Sequence, residues 1–343
     1  MRTDAGSLSR SRCRVRRTGF PTPVRDLPCL SKLVSPSPAI SVIIPTHHRP
    51  ALLARAIASV VAQTHRHLEV LVVDDGPSES AADAVRAAAD GRLRYLSHHV
   101  TRGAAAARNT GLRSATGEFV AFLDDDDTWL PLKLVRQLEP FVTGTADLGV
   151  VYCASLKYSD ITNRVISESP ARPLRQGHVD FLRSTLFGTS VPLIHRRCFD
   201  QVGPFDESLP GAQDRDMWIR LARRFAFDFV PDVLVWHHIH GDQITSNLSK
   251  KVEARELLLV KYRAELEAHP DIMATYLWRL GMLCCADDRH PAGRRHIWQA
   301  VRRQPGLRGA YRDLLHSLIA PRSFQRRLRD GVFRGADGVP FYY

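Results

Sequence analysis

Four carboxylates stand in a row at Asp124, Asp125, Asp126 and Asp127, directly behind the apolar run at residues 119–123. Like charges at that density repel, and a strand entering a core gains nothing from them. A hard divalent cation would offset the repulsion, because it binds carboxylate oxygens and can bridge them to a diphosphate. The competing reading is a helix N-terminus. Acidic residues there interact well with the helix dipole, and Thr128-Trp129-Leu130-Pro131 could begin such a helix. Two more polar clusters close apolar runs upstream: Pro45-Thr46 follows residues 40–44, and Asp74-Asp75 follows residues 68–73.

These clusters need elements to position them. Residues 39–44 form a short β-rich run ending at Pro45, and residues 52–63 carry helical apolar spacing through Leu52, Leu53, Ala56 and Val60. A second strand at 68–73 is stopped by Asp74-Asp75-Gly76-Pro77. Residues 80–89 predict an alanine-rich helix, 93–96 a third strand, 104–114 a third helix and 119–123 a fourth strand. Strands alternating with helices pair in parallel and place a ligand crevice at their carboxyl ends. All three polar clusters sit at such ends. No G-x-G-x-x-G follows the first strand and no G-x-x-x-x-G-K-[ST] occurs anywhere, so the phosphates of any nucleotide need another holder. Aspartates with a cation are the physical alternative.

The stretches PTHHRPALLARAIASVVAQTHRHLEVLVVDDGPSE and TRGAAAARNTGLRSATGEFVAFLDDDDTW, followed by VGPFDESLPGAQDRDMWIRLA and HHIHGDQITSN, together resemble the family 2 glycosyltransferases. The resemblance covers about residues 39–247 and rests on four motifs in order. It implies the GT-A fold, an α/β, Rossmann-like nucleotide-binding arrangement with a mixed, mainly parallel sheet flanked by helices. It also implies inverting transfer of a sugar from a nucleoside-diphosphate sugar to an acceptor hydroxyl, in polysaccharide or glycolipid (cell-envelope) biosynthesis, with Mn2+ or Mg2+ as cofactor.

Carried over by position, the resemblance implies that Pro45, Thr46 and Arg49 line the nucleoside pocket. Asp75 would accept a hydrogen bond from the base and Arg108 would contact the nucleotide, while Asn109 and Gly111 have structural roles. In the family's Asp-x-Asp motif Asp124 approaches the ribose and shares the metal, and Asp126 coordinates it. The run of four leaves a one-residue slip toward Asp125 open. The family's usual Glu-Asp pair reads Gln213-Asp214 here; Asp214 is the implied base, and Gln213 removes one negative charge beside it. Asp216 is better suited to a structural role. His240 fits either an additional metal or diphosphate ligand or the closure of a polar loop. His47 and His48 match no fixed position.

The rest of the chain bounds partners. The net charge of +12 over 343 residues sits in the ends: +6 in residues 1–33 and +9 in residues 289–343, which leaves residues 34–288 at −3. Residues 1–38, rich in Arg, Ser and Pro, are expected to be a disordered basic tail without the apolar segment of a secretory signal. Residues 39–248 form the expected GT-A domain, 249–330 a basic helical extension and 331–343 a tail. Helices are expected at 252–266 and 272–284, and two more within 293–320, broken at Pro305-Gly306. The six cysteines show no metal-type spacing and read as reduced thiols of a cytoplasmic chain. No apolar run approaches the ~20 residues of a membrane span. Ile297, Trp298, Val301, Leu314, Leu315, Leu318 and Ile319, set among arginines, suit peripheral docking on an anionic membrane that carries a lipid-linked acceptor. Alternatively they pack inward and the arginines face water. The expected partners are a nucleotide-sugar donor and a saccharide or lipid-linked acceptor. No nucleic acid is expected, because the tails are poor in aromatics and the middle is acidic. A catalytically silent relative that binds sugar nucleotide as an interaction module is the alternative.

Overall fold

Continuous apolar runs become central strands when both faces of a sheet are covered. Ile40, Val42, Ile43 and Ile44 in β1 (Ile40–Thr46) and Val70, Leu71, Val72 and Val73 in β2 (Leu68–Asp74) are fully buried. The structure, a computed structural model, describes residues 39–76, 79–240 and 247–334. The basic tail before residue 39, residues 241–246 of the last motif and residues 335–343 lie outside the described residues.

The first half alternates as expected: α1 (Pro50–Val61), α2 (Glu79–Ala87), β3 (Leu93–Ser97), α3 (Ala104–Ser114) and β4 (Phe119–Phe122). β1 pairs in parallel with β2 and β4, and β2 with β3. α3 lies so close on β1 that a Cβ on Gly111 would stand 2.4 Å from Ile43 Cγ2. Only glycine permits that contact, and it sets the height of α3 over the strand ends.

After β4 the pattern changes. β5 (Asp127–Trp129), α4 (Lys133–Thr143), β6 (Leu148–Ser159), β7 (Arg164–Ser169) and α5 (His178–Arg183) come next, and β8 (Leu193–His195), α6 (Arg197–Val202), α7 (Gln213–Ala222) and β9 (Ala226–Ile239) follow. β8 enters antiparallel between β4 and β6, β6 and β9 pair in parallel, and β5 runs antiparallel along β9. The order is β3-β2-β1-β4-β8-β6-β9-β5, with β7 on β6. This is a mixed sheet whose longest ladders are parallel, flanked by helices. The aspartate run is not a helix N-terminus. It is followed by a strand, and α4 starts only at Lys133 with no acid in its first turn.

The C-terminal helices are α8 (Leu248–Lys261), α9 (Arg263–Glu267), α10 (Pro270–Ala286), α11 (His290–Arg303), α12 (Arg308–Ile319) and α13 (Pro321–Arg334). The single helix expected at 252–266 breaks at Tyr262, and α13 runs past the expected end at 330. The break has a partner: Tyr262 donates its hydroxyl to Asp216 Oδ1 at 2.6 Å. Lys261 Nζ (2.7 Å) and Arg220 Nε (2.9 Å) reach the same fully buried carboxylate, so Asp216 ties α7 to the C-terminal helices. The apolar residues set among the arginines divide. Ile297 and Val301 are buried, Leu314 is half-buried, and Trp298, Leu315, Leu318 and Ile319 are exposed.

Lys133 is the one fully buried lysine among the described residues. Its ammonium donates to Gln137 Oε1 at 2.6 Å and stands 4.0 Å from the centre of the Trp129 ring. Burial pushes it down from its ordinary value to about 8. A lysine less basic when folded destabilises the fold below that value, and the penalty is relieved as pH rises from about 8 toward the unfolded value. The expected outcome is that wild-type stability in urea rises between pH 7.5 and 10 relative to Lys133→Met, by at most roughly 3 kcal/mol. Parallel curves for the two proteins would show that Lys133 stays charged.

Candidate active site

The turn between β4 and β5 closes with the Asp127 N–H donating to the Asp124 carbonyl at 3.0 Å. The turn holds the four side chains in two environments. Asp124 and Asp126 have 32 % and 21 % of their side chains exposed, while Asp125 and Asp127 have 9 % and 8 %. The four are therefore two pairs. The inner pair is tied into the fold: Asp125 accepts from Thr46 Oγ1 at 2.8 Å, and Asp127 accepts from Ser190 Oγ at 2.6 Å and meets His237 Nδ1 at 2.8 Å. The outer pair faces the crevice.

Each outer aspartate has a basic partner. Arg108 Nη2 donates to Asp124 Oδ1 at 2.7 Å, and Thr189 Oγ1 donates to Oδ2 at 3.1 Å. Arg49 Nη1 reaches Asp126 Oδ2 at 3.1 Å and Asp125 Oδ1 at 3.4 Å. His240 Nε2 lies 3.2 Å from the same Asp126 oxygen. Burial, and then the charges of Asp127, Asp124 and Asp125, push the Asp126 carboxyl up to about 6. Burial also raises Asp125. The crowding thus falls mainly on Asp126, and more positive charge at the crevice would relieve it.

Arg108 links the turn to α7, since its Nη1 contacts Gln213 Oε1 at 3.4 Å. Gln213 itself donates to the Leu209 carbonyl at 2.7 Å. Asp214 is half-buried in the first turn of α7 and accepts from the Arg215 N–H at 2.7 Å. Its carboxyl is raised by burial, against the pull of that N–H and of Arg108. The adjacent Arg215 is buried, donating to the carbonyls of Phe181 and Leu182 and standing 5.3 Å from the Tyr276 ring centre. It fixes the helix rather than the crevice.

Asp75 takes a place that its sequence context does not announce. Its carboxylate accepts from the N–H groups of Arg102 (2.8 Å) and Gly103 (2.6 Å) and meets His98 Nδ1 at 2.8 Å. It therefore anchors the loop that starts α3, and so the helix carrying Arg108. Three of about four acceptor positions are filled. Pro45 and Thr46 end β1 at the same edge, and Asn109 bonds to the backbone of Phe205. All the expected site residues among those described thus gather around the carboxyl ends of β1, β2 and β4. Sequence reasoning missed Thr189, Ser190 and His237. The first two lie in an unpatterned loop, and the third reaches Asp127 only through the β5–β9 register, which pairs those two residues.

The profile described as Glycosyl transferase family 2 matches residues 41–199. An uncharacterized glycosyltransferase of Rickettsia felis is 28% identical over 239 residues, which cover 67% of this chain and 39% of that protein. The chain thus spans well under half of that relative. WcaA of Escherichia coli K12, a glycosyl transferase named for colanic acid biosynthesis, is 30% identical over 225 residues, 62% of this chain and 78% of WcaA. Two solved structures share the fold. S. aureus TarS (residues 1-349) in complex with UDP-GlcNAc has a TM-score of 0.60 and 19% identity, covering 87% of this chain and 92% of that one. The mannosyltransferase PcManGT of Pyrobaculum calidifontis, in complex with GDP-Man and Mn2+, has a TM-score of 0.53 and 19% identity, covering 84% and 83%. Profile, relatives and fold agree with the geometry of the strand ends: the chain belongs to the family 2 glycosyltransferases.

Proposed function

We propose that the protein is an inverting, metal-dependent glycosyltransferase that moves a sugar from a nucleoside-diphosphate donor to an acceptor hydroxyl in polysaccharide or glycolipid synthesis. The observation that carries this reading is the alternation in the aspartate run. It turns Asp124 and Asp126 together toward a crevice that Arg108 bridges to the start of α7. It supports the Asp124/Asp126 register over a slip toward Asp125, whose side chain is turned inward and only 9 % exposed.

In this reading Asp124 and Asp126 would hold a divalent cation, with His240 beside Asp126. That the residues fit a cation is argued by Asp126 itself, whose crowded carboxyl is one that positive charge would settle. When bound, the ion supplies positive charge next to the departing diphosphate. Arg49 and Arg108 add fixed positive charge on the same side. Pro45, Thr46 and Arg49 line the nucleoside end, where Asp75 has one acceptor position left for a base N–H. Asp214 accepts the proton of the acceptor hydroxyl as its oxygen bonds to the anomeric carbon. The carbon–oxygen bond to the diphosphate breaks on the opposite face, and its electron pair leaves with the diphosphate. The complexes of TarS with UDP-GlcNAc and of PcManGT with GDP-Man and Mn2+ support a nucleotide-sugar and metal reading by analogy.

The exposed apolar residues of α12 extend the proposal to location. Tyr311, Leu315, Leu318 and Ile319 stand 44 %, 58 %, 55 % and 75 % exposed, and the spacing i, i+4, i+7, i+8 puts them on one helical stripe. The inward face of the same helix is Ala310, Asp313 and Ser317. Exposed Arg308, Arg312 and Arg322 flank the stripe. Apolar residues bounded by arginines suit the headgroup level of an anionic bilayer, where each basic residue contributes about 1 kcal/mol. No described helix is long and apolar enough to cross a membrane.

Three outcomes check these assignments. Calorimetry with nucleoside diphosphate should show that Asp126→Asn loses the gain in affinity that Mn2+ gives the wild type; an undiminished gain removes Asp126 from the metal site. Asp214→Asn should keep donor binding while its kcat falls by about 10²–10⁴, and wild-type product from an α-linked donor should show a β anomeric proton by NMR. Retained configuration would overturn direct displacement, and a wild type without turnover on any donor would favour the binding module. Finally, the full-length protein should co-sediment with vesicles containing anionic lipid and not with neutral ones, and the double variant Leu315→Ser, Ile319→Ser should lose that binding. Equal sedimentation of wild type and variant would assign the stripe another role.

A further inference from the structure

Away from the strand ends, three side chains with no role in sugar transfer converge among the C-terminal helices. Glu256 on α8, Cys284 on α10 and His296 on α11 bring a carboxylate oxygen, a sulfur and a ring nitrogen within 4.8 Å of one another. The convergence has a backbone cause. α10 and α11 touch so closely that a Cβ on Gly281 would lie 2.6 Å from the Gly293 carbonyl oxygen, and a Cβ on Gly293 would lie 2.6 Å from the Gly281 carbonyl oxygen. On α10 Cys284 lies between the contact residues Gly281 and Cys285, and on α11 His296 lies between Gly293 and Ile297, so the close crossing brings the two together.

A second observation points to a ligand. His296 Nδ1 is shut off from solvent and has no hydrogen-bond partner, while the Gln299 side chain hydrogen-bonds the ring. An orphaned ring nitrogen costs free energy unless something accepts its lone pair or proton. Cys284 is fully buried, whereas Glu256 and His296 are half-buried, so the group has a dry side and a side open to solvent.

We propose that Glu256, Cys284 and His296 bind one zinc-like divalent ion that clamps α8, α10 and α11 together. Thiolate and imidazole are donors for a borderline ion such as zinc, and they disfavour magnesium, which takes oxygen shells. Three protein ligands leave the fourth tetrahedral position to water on the open side. On binding, the Cys284 thiol gives its proton to solvent and the sulfur bonds to the ion, with no change in oxidation state. This site is independent of sugar transfer and would stand if that reading failed.

Cobalt(II) separates it from the aspartate run, because only a thiolate ligand gives sulfur-to-cobalt charge-transfer absorption. The full-length protein, reduced and freed of metal, should develop that absorption with one equivalent of cobalt, and zinc should abolish it and raise the Tm. Cys284→Ala should lose both responses, while Cys285→Ala and Asp126→Asn keep the absorption. His296→Gln, at a half-exposed position and with circular dichroism confirming the fold, should weaken cobalt affinity more than tenfold, a ligand mattering at least as much as an outer-shell partner. A wild type without the absorption at saturating cobalt, an absorption that survives Cys284→Ala, or unchanged affinity in His296→Gln would overturn the proposal.

Discussion

The tight turn from Asp124 to Asp127 is the constraint on which the rest of the site depends. β4 and β5 are joined by that turn, yet three strands lie between them in the hydrogen-bonded order. In a flat sheet the four spacings would separate them by about 19 Å. A closed turn and its two leading residues reach at most about 14 Å. The sheet must therefore curl until the β9–β5 edge comes round to the end of β4. The curl brings the end of β9 to the turn, with His237 against Asp127 and His240 against Asp126, while the β4–β8 pairing places Thr189 and Ser190 beside the same carboxylates. The crevice is made where the sheet meets itself.

Four carboxylates at that seam are tolerable only because none is left alone. A buried charge without a partner costs several kcal/mol, so the arginines, hydroxyls and imidazoles around the turn are needed for folding. The compensation is uneven. The inner pair is bound by short contacts from neighbouring elements, while Asp126 keeps the penalty of its three neighbours and is pushed up to about 6. A residue left electrostatically dissatisfied at a crevice is a common cost of function. Asp75 works in the opposite sense: it gives its acceptors to the loop before α3 and thereby fixes where Arg108 stands.

Much of this was legible in the sequence because the signals are local. Residues 104–114 are helix-forming and follow a glycine, and the structure gives α3 those same limits. β1 and β2 were visible as unbroken apolar runs, and the aspartates stood out through charge. What could not be read depends on pairing across the sheet. Thr128 and Trp129 could have begun a helix, and only the ladder of β5 with Val235, Trp236 and His237 makes them a strand. Arg108 was read as a nucleotide contact, yet its nearest partner is Asp124, sixteen residues on. The cysteine spacing gave no hint of Glu256 and His296 beside Cys284, because three helices supply one group each. The apolar residues among the arginines fell on both sides, since periodicity does not tell which stripe of a helix the neighbours will cover.

The knot at Asp216 has a consequence for how such a chain is inherited. Motif by motif, the protein ends near residue 247, and the helices beyond that point look like an appendage that could be exchanged. Yet the helix that bears Asp214 also bears Asp216, whose buried charge is answered by Lys261 and Tyr262 from beyond that limit. Losing both would leave that buried carboxylate to Arg220 alone, at about 1.5–3 kcal/mol for each hydrogen bond to the charge, a large share of a typical domain's stability. Recombination at the apparent seam would thus yield destabilised chimeras unless the incoming segment supplied the same two groups. The C-terminal helices and the helix that carries Asp214 must descend together.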